Sequence, residues 1–213
     1  MSITRLILVR HGETIANREY RYVGSRDDVL SSLGETQAEE LAEALSILPA
    51  SAVYSSPQQR AYLTALPIAA RHSLEAQTVD DLREMSFGAW EGLSRAEVAA
   101  RSPEDAQYLR DWEKNIALTP PEGESFDALR ERVCAAVERL AQQHLDQTIV
   151  LVSHVGPIKV LLCTALGVPT STAFRIFLDP ATISVVDWRD AEHATVRLVN
   201  SHAHLGWQNA RWM

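Results

Sequence analysis

Residues 3–13 read ITRLILVRHGE, and the predicted architecture follows from this segment. Residues 3–9 form a short run rich in isoleucine, leucine and valine, which is typical of a strand buried on both faces and not of an amphipathic helix. The run ends in Arg10 and His11, which are followed by Gly12, a residue that permits tight turns and close backbone approach. Two ionisable side chains directly after a buried strand indicate a functional sheet edge.

Strands and helices alternate downstream of this stretch. Ser32 begins a segment with capping-box spacing, and apolar residues then recur at helical intervals over residues 38–48. Residues 52–54 predict a second short strand. Ser55-Ser56-Pro57 predicts a helix start, because proline suits the first helical position after a serine cap. Arg60 is expected in the first turn of that helix.

The second half of the chain repeats the alternation. Ser125 predicts the start of a long amphipathic helix, and residues 148–152 predict a buried strand that His154 and a further apolar helix follow. Residues 182–188 and 196–200 predict a late hairpin at the sheet edge. The pattern predicts an α/β three-layer sandwich with a mainly parallel central sheet and helices on both faces. Ligands bind outside the carboxyl ends of such strands, where both histidine motifs are expected.

Length and composition limit the functional classes. The 213 residues are expected to form a single domain, residues 1–213, around one core. No apolar stretch is long enough for a membrane span and the N-terminus lacks a signal-peptide pattern, so we expect a cytoplasmic protein with no membrane partner. The net charge of −8 argues against a nucleic-acid partner. A small phosphorylated substrate remains compatible, because a few cations in a pocket can outweigh the overall field.

The candidate site residues combine nucleophilic, cationic and acidic groups. The imidazole of His11 can attack phosphorus and form a phosphohistidine. Arg10 and Arg60 supply planar, permanently charged donors that match phosphate oxygens, and a helix N-terminus beside Arg60 favours anions. His154 could face His11 across a phosphate, and Glu84 would protonate the leaving oxygen. Each residue alone could be an ordinary surface group, so the prediction rests on their combination.

These motifs resemble the histidine phosphatase superfamily in its phosphoglycerate mutase-like branch. Residues 8–14 are similar to the family signature, and residues 55–65 to its second phosphate-binding segment. Residues 82–92 are similar to its acid motif, and residues 152–156 to its second histidine motif. The resemblance covers nearly the whole chain.

The resemblance implies a residue for each chemical task. His11 would be the nucleophile, and Glu84 would be the general acid and base. The remaining implied residues would bind phosphate: Arg10, Asn17, Arg60 and His154. The family implies a metal-independent phosphomonoesterase without a cofactor, similar to α-ribazole phosphatases and acid phosphatases. α-Ribazole phosphate, phosphoserine and the esters of a broad acid phosphatase are the substrate candidates.

Departures from the family pattern bear on specificity. Val23 stands where relatives often have a glutamine, which removes one possible donor near the substrate. Residues 29–31, Val-Leu-Ser, replace a common Pro-Leu-Thr. The residues between Met85 and Ser125, together with the C-terminal tail, are expected to shape the part of the pocket that contacts the leaving group.

Three other activities compete with this interpretation. A cofactor-dependent phosphoglycerate mutase is disfavoured by the Leu-Arg-Glu-Met-Ser-Phe-Gly sequence at residues 82–88 and by the shorter segment that follows. A non-catalytic phosphate-binding module is disfavoured because the chain keeps every motif residue. A protein phosphatase stays open.

Two features of the C-terminal tail have weaker interpretations. His202 and His204 alternate like metal ligands, but no carboxylate or cysteine accompanies them in the sequence, so no metal site is predicted. Trp207 and Trp212 either cover the core or contact a second subunit, which leaves a homodimer open.

Overall fold

The computed structural model describes residues 2–206, so Trp207 and Trp212 lie outside the described residues. In this range six strands form one sheet: β1 (Thr4–Arg10), β2 (Ala50–Ser55), β3 (Ala76–Thr78), β4 (Thr148–Ser153), β5 (Ile183–Trp188) and β6 (Thr195–Ser201). Their spatial order is β3-β2-β4-β1-β5-β6. The first four in that order are parallel to one another. β5 pairs antiparallel with β1, and β6 pairs antiparallel with β5.

Helices connect most of the strands. The α-helices in the described range are α1 (Ile15–Arg18), α2 (Ser32–Leu45), α3 (Gln59–Arg71), α4 (Arg95–Arg101), α5 (Pro103–Trp112), α6 (Phe126–Gln143) and α7 (Val155–Ala165). Short 3-10 turns occupy Asp80–Leu82, Gly88–Trp90 and Thr170–Arg175. Over residues 2–206, none of the helices has the length and apolar character that a membrane crossing requires.

Helices cover both faces of the sheet, as the packing of β1 shows. Leu6 and Leu8 pack into one core with residues of α5, α6 and α7, while Ile7 and Val9 pack into another with residues of α2 and α3. Successive side chains of a strand point to opposite faces, so residues 6–9, which are buried on both faces of the sheet, are apolar at each position. The three-layer α/β arrangement and the late β5–β6 hairpin are thereby confirmed.

The N-cap of helix α2 lies one residue before the predicted cap. The N-cap is Ser31, not Ser32, and its hydroxyl accepts a hydrogen bond from the backbone N–H of Gly34 at 3.1 Å. The same hydroxyl donates to a carboxylate oxygen of Glu13 at 3.0 Å. This contact with the loop after β1 selects Ser31 between two adjacent serines.

Helix α3 begins later than the proline signal predicts. Ser56 still pairs with β4, because its N–H donates to the carbonyl of Val152 at 2.9 Å. Gln58 is extended and is the N-cap, so Pro57 precedes the helix and Gln59 is its first residue. Arg60 nevertheless lies in the first turn, as expected.

Two glycines let the loop after β1 pack against α2. A Cβ on Gly34 would overlap the carbonyl oxygen of Glu13, and a Cβ on Gly12 would lie 2.6 Å from the carbonyl oxygen of Gly34. The N–H of Gly12 also donates to the hydroxyl of Thr64 on α3 at 3.0 Å. The backbone beside His11 is therefore held by both α2 and α3.

Candidate active site

Two histidines meet where adjacent strands end. His11 follows β1 and His154 follows β4, and these strands are parallel neighbours with Arg10 paired to Ser153. The ring centroids of the two histidines are 5.0 Å apart, with 59° between the ring planes. His11 is 3% exposed and His154 is fully buried at 0%. The topology thus brings together two imidazoles that are far apart in sequence.

His11 is oriented by its own loop. Its Nδ1 lies 2.7 Å from the carbonyl oxygen of Gly12. A carbonyl only accepts, so Nδ1 donates the proton and Nε2 keeps the lone pair. Burial, and then the positive charges of Arg60 and Arg10, hold the pKa of His11 well below its ordinary value. The ring is a neutral imidazole with an available nucleophilic nitrogen.

His154 has no hydrogen-bond partner for either ring nitrogen within residues 2–206. Burial lowers the pKa of His154 well below its ordinary value, and the charges of Arg60, His11 and Arg10 act in the same direction. Buried polar atoms normally have partners, so two such nitrogens on one ring indicate a ligand site.

The two arginines are held by backbone carbonyls. Arg60 is 1% exposed, and its terminal nitrogens donate to the carbonyls of Arg26 at 2.6 Å and Gly24 at 2.9 Å. Burial lowers the pKa of Arg60. A terminal nitrogen of Arg10 donates to the carbonyl of Leu178 at 2.5 Å. Carbonyl partners orient a guanidinium without cancelling its charge.

Glu84 lies against the first turn of α7. One carboxylate oxygen accepts hydrogen bonds from the N–H groups of Met85 at 2.8 Å and Gly156 at 3.0 Å. A Cβ on residue 156 would overlap that oxygen, so a side chain there would displace the Glu84 carboxyl. Burial raises the pKa of Glu84, against the lowering effects of the Met85 N–H, Arg60, Arg10 and the Gly156 N–H. A carboxyl with a raised pKa is suited to donating a proton near neutral pH.

A cavity of about 200 Å³ lies between these groups. Five of the six predicted site residues line it: Arg10, His11, Asn17, Arg60 and Glu84. The sixth, His154, contacts His11. The Oδ1 of Asn17 accepts from the N–H of Thr14 at 3.1 Å, which orients the amide. The cavity therefore combines a nucleophile, an acid and cationic donors.

The remaining wall of the cavity is mostly apolar. Tyr22, Val23, Phe87 and Val155 line it, and burial raises the pKa of Tyr22 to about 12, so its hydroxyl stays protonated. A larger cleft of about 490 Å³ adjoins through Arg21, Tyr22 and Val23. That cleft contacts neither histidine, so we place the chemistry in the smaller cavity.

Gln58 is a site residue that sequence reasoning missed. It is 1% exposed. Its Oε1 accepts from the N–H of Glu84 at 2.9 Å, and its Nε2 donates to the carbonyl of Gly24 at 2.8 Å. It thereby links the acid to the turn that holds Arg60. No local pattern distinguishes it from an exposed glutamine at a helix start.

The alternating histidines of the tail do not converge on a common point. His202 Nε2 lies 2.9 Å from Asp179, a carboxylate that the sequence did not place near it, because the two residues meet only in the folded chain. His204 Nε2 donates to the carbonyl of Ala181 at 2.9 Å. Across residues 2–206, no three His, Cys, Asp or Glu side chains form a group suited to holding a metal ion.

Comparison with known proteins identifies a family and several relatives. The profile of the histidine phosphatase superfamily (branch 1) matches residues 6–201. Phosphoserine phosphatase 1 of Hydrogenobacter thermophilus is 37% identical over 205 residues, which are 96% of this chain and 95% of that protein. The structure of the α-ribazole phosphatase from Shigella flexneri is similar with a TM-score of 0.82 and 32% identity, covering 93% of this chain and 97% of the other.

One relative is much longer than this chain, which matches only part of it. Bifunctional protein Rv2228c of Mycobacterium tuberculosis is 40% identical over 203 residues, which are 95% of this chain but 55% of that protein. This chain therefore spans about half the length of that relative.

We expect both active-site rings to stay neutral at about pH 6, where an ordinary histidine is largely protonated. The folded pKa values of His11 and His154 are lowered, so an unfolded chain takes up protons there as the pH falls through about 6.5 while the folded chain does not. The free energy of unfolding therefore decreases on acidification through these two groups. Nitrogen-detected NMR of the imidazoles between about pH 7.5 and pH 5.5 measures this.

The His11→Asn variant identifies the signals of His11 in those spectra. The expected result is a protonated Nδ1 and an unprotonated Nε2 throughout the range. Conversion of both nitrogens to the imidazolium form near about pH 6.5 would contradict the assignment.

Proposed function

This chain belongs to the histidine phosphatase superfamily, and we propose that it is a metal-independent phosphomonoesterase that carries the phosphoryl group on His11. One observation supports this most directly. The neutral His11, with its Nδ1 bound to the carbonyl of Gly12, shares a cavity with Arg10, Arg60 and Glu84. A nucleophile, charge-balancing donors and an acid are the groups that phosphoryl transfer through a covalent intermediate requires.

The first half-reaction breaks the ester. His11 Nε2 attacks phosphorus, a nitrogen–phosphorus bond forms, and the phosphorus–oxygen bond to the leaving group breaks. Glu84, protonated at this stage, gives its proton to the leaving oxygen. Arg10, Arg60 and His154 face the phosphoryl oxygens, with Asn17 as a further donor, and stabilise the charge that develops on them.

The second half-reaction restores the enzyme. Glu84, now a carboxylate, takes a proton from water as the water oxygen attacks phosphorus. The nitrogen–phosphorus bond breaks and inorganic phosphate forms. His11 returns to its starting form and Glu84 again holds a proton, so one carboxyl group acts as acid and then as base. Its raised pKa suits the first of these tasks.

The proposed substrate is a small organic phosphomonoester. A cavity of about 200 Å³ accommodates a phosphoryl group with little of its leaving group, which extends toward Tyr22, Val23 and Phe87. Phosphoserine and α-ribazole phosphate, the compounds in the relatives' names, are the first candidates, together with the esters of a broad acid phosphatase. The cytoplasmic location, the single domain over residues 1–213 and a homodimer stay predictions from the sequence.

The test of this function is phosphate release from a panel of cellular phosphomonoesters by the chelator-treated protein. We expect turnover of at least one ester without added metal, and none by the His11→Ala variant. Release of phosphate only after a divalent metal is restored would contradict the metal-independent mechanism. Full activity of the alanine variant would contradict the role of His11.

The same assay separates the competing activities. Interconversion of 2- and 3-phosphoglycerate that is faster than phosphate release would identify a mutase. Hydrolysis confined to phosphorylated peptides would identify a protein phosphatase. Binding of phosphate without release from any ester would identify a non-catalytic module.

The effect of Glu84→Gln is expected to depend on the leaving group. An alkoxide is a poor leaving group, so loss of the proton donor should slow phosphorylation by an alkyl phosphate by about 100- to 10,000-fold. The p-nitrophenolate anion is stable and needs little proton transfer, so phosphorylation by p-nitrophenyl phosphate should change far less. Single-turnover measurement of phosphoenzyme formation reports this step without interference from dephosphorylation.

Gln is the matched replacement, because its amide keeps the size of the carboxyl and can still accept from the N–H of Gly156. Circular dichroism confirms that the variant is folded. An equal loss on both substrates in the phosphorylation phase would remove Glu84 from the acid role.

A further inference from the structure

One segment forms backbone hydrogen bonds with both Arg10 and His11. We call residues 178–182, which precede β5, the backing segment. The carbonyl of Leu178 accepts from the Arg10 guanidinium at 2.5 Å. The carbonyl of Thr182 accepts from the Arg10 N–H at 3.1 Å, and the N–H of Ala181 donates to the carbonyl of His11 at 3.0 Å. The direction of the Arg10 side chain and the position of the His11 backbone therefore depend on this segment.

Three tail side chains fix the backing segment in turn. We call Asn200, His202 and His204 the tail clamp. Asn200 Oδ1 accepts from the N–H of Asp179 at 2.8 Å, and Asn200 Nδ2 donates to Asp179 Oδ2 at 3.4 Å. His202 Nε2 contacts the same Oδ2 at 2.9 Å, and His204 Nε2 donates to the carbonyl of Ala181 at 2.9 Å. Asn200 lies near the end of β6, and His202 and His204 lie in the turn that follows, in which the N–H of Leu205 donates to the carbonyl of His202 at 2.9 Å.

The contact between Asp179 and His202 is the buried part of this arrangement. Both side chains are 5% exposed. The other carboxylate oxygen of Asp179, Oδ1, has no partner within the part of the chain that the structure describes. A buried carboxylate is costly unless it is paired, so the position of Asp179 depends on the 2.9 Å contact with His202 more than on the 3.4 Å contact with Asn200.

We propose that His202 is a positioning residue for the reaction at His11, acting through Asp179 and the backing segment. Asp179 directly follows Leu178, whose carbonyl holds the Arg10 guanidinium. Loss of the His202 donor frees a buried carboxylate to turn toward water, and this rotation moves the adjoining carbonyl. His202 does not line the reaction cavity. The expected effect of His202 on phosphoryl transfer rests on the proposed function, whereas its expected effect on phosphate affinity does not.

The test compares His202→Ala, His202→Gln and His193→Ala with the full-length wild type. Glutamine can place an N–H donor near the position of His202 Nε2. His193 is the matched control, because it forms an equivalent pair with Asp190 at 2.8 Å that is exposed and away from the backing segment. Two quantities are measured for each protein: the affinity for inorganic phosphate by calorimetry, and the single-turnover rate of phosphoenzyme formation with p-nitrophenyl phosphate.

We expect His202→Ala to weaken phosphate affinity and slow phosphoenzyme formation by roughly 10- to 100-fold, since small misplacements of binding groups have effects of this size. His202→Gln should recover most of both losses, and His193→Ala should match the wild type. Tm values accompany each measurement. If His202→Ala does not fold, Asp179→Ala, which removes the partner of His202, takes its place and should show the same two losses.

Unchanged affinity and rate in His202→Ala would overturn the proposal. So would losses of equal size in the alanine and glutamine variants that follow the decrease in Tm, because they would indicate a purely structural role. If the wild type binds phosphate but transfers none, the proposed function fails while the affinity comparison still decides the role of His202. A wild type that does not bind phosphate would overturn both proposals.

Discussion

The candidate site depends on keeping positive charge buried without a neutralising carboxylate at hydrogen-bond distance. Arg60 is almost fully buried, yet within residues 2–206 its terminal nitrogens donate to carbonyls of the Gly24–Arg26 turn and to no carboxylate. Such an arrangement is costly in the free protein and favourable once a dianion enters. Burial, together with the same positive charges, lowers the pKa values of His11 and His154 and keeps both rings neutral, so the conditions that bind phosphate also preserve the nucleophile.

The fold supplies the rigidity that this condition requires. β1 and β4 are central parallel neighbours with apolar residues on both faces, so the residues that follow them cannot move independently. Arg60 lies in the first turn of α3, and the N–H of Gly156 in the first turn of α7 donates to the carboxylate of Glu84. The chemical groups are thus fixed at the ends of several rigid elements, which preorganises the site before substrate binds.

The predictable features were those specified locally. The apolar run of β1, the Ser125 cap of α6 and the position of His154 after β4 all follow from neighbouring residues, and the resemblance to a family added the roles of distant motifs. The features that were missed depend on long-range contacts. The α2 cap is Ser31 because of a bond to Glu13, and His202 has a buried partner that is 23 positions away. Residue spacing carries no signal for such contacts.

The central claim is that His11 carries the phosphoryl group. The most direct measurement is rapid quenching of the wild type with ³²P-labelled substrate, followed by localisation of the label in the peptide that contains His11. We expect a label that is labile to acid, stable to base and absent from His11→Ala. A label that is stable to acid, that maps to the peptide containing His154, or that persists in the alanine variant would contradict it.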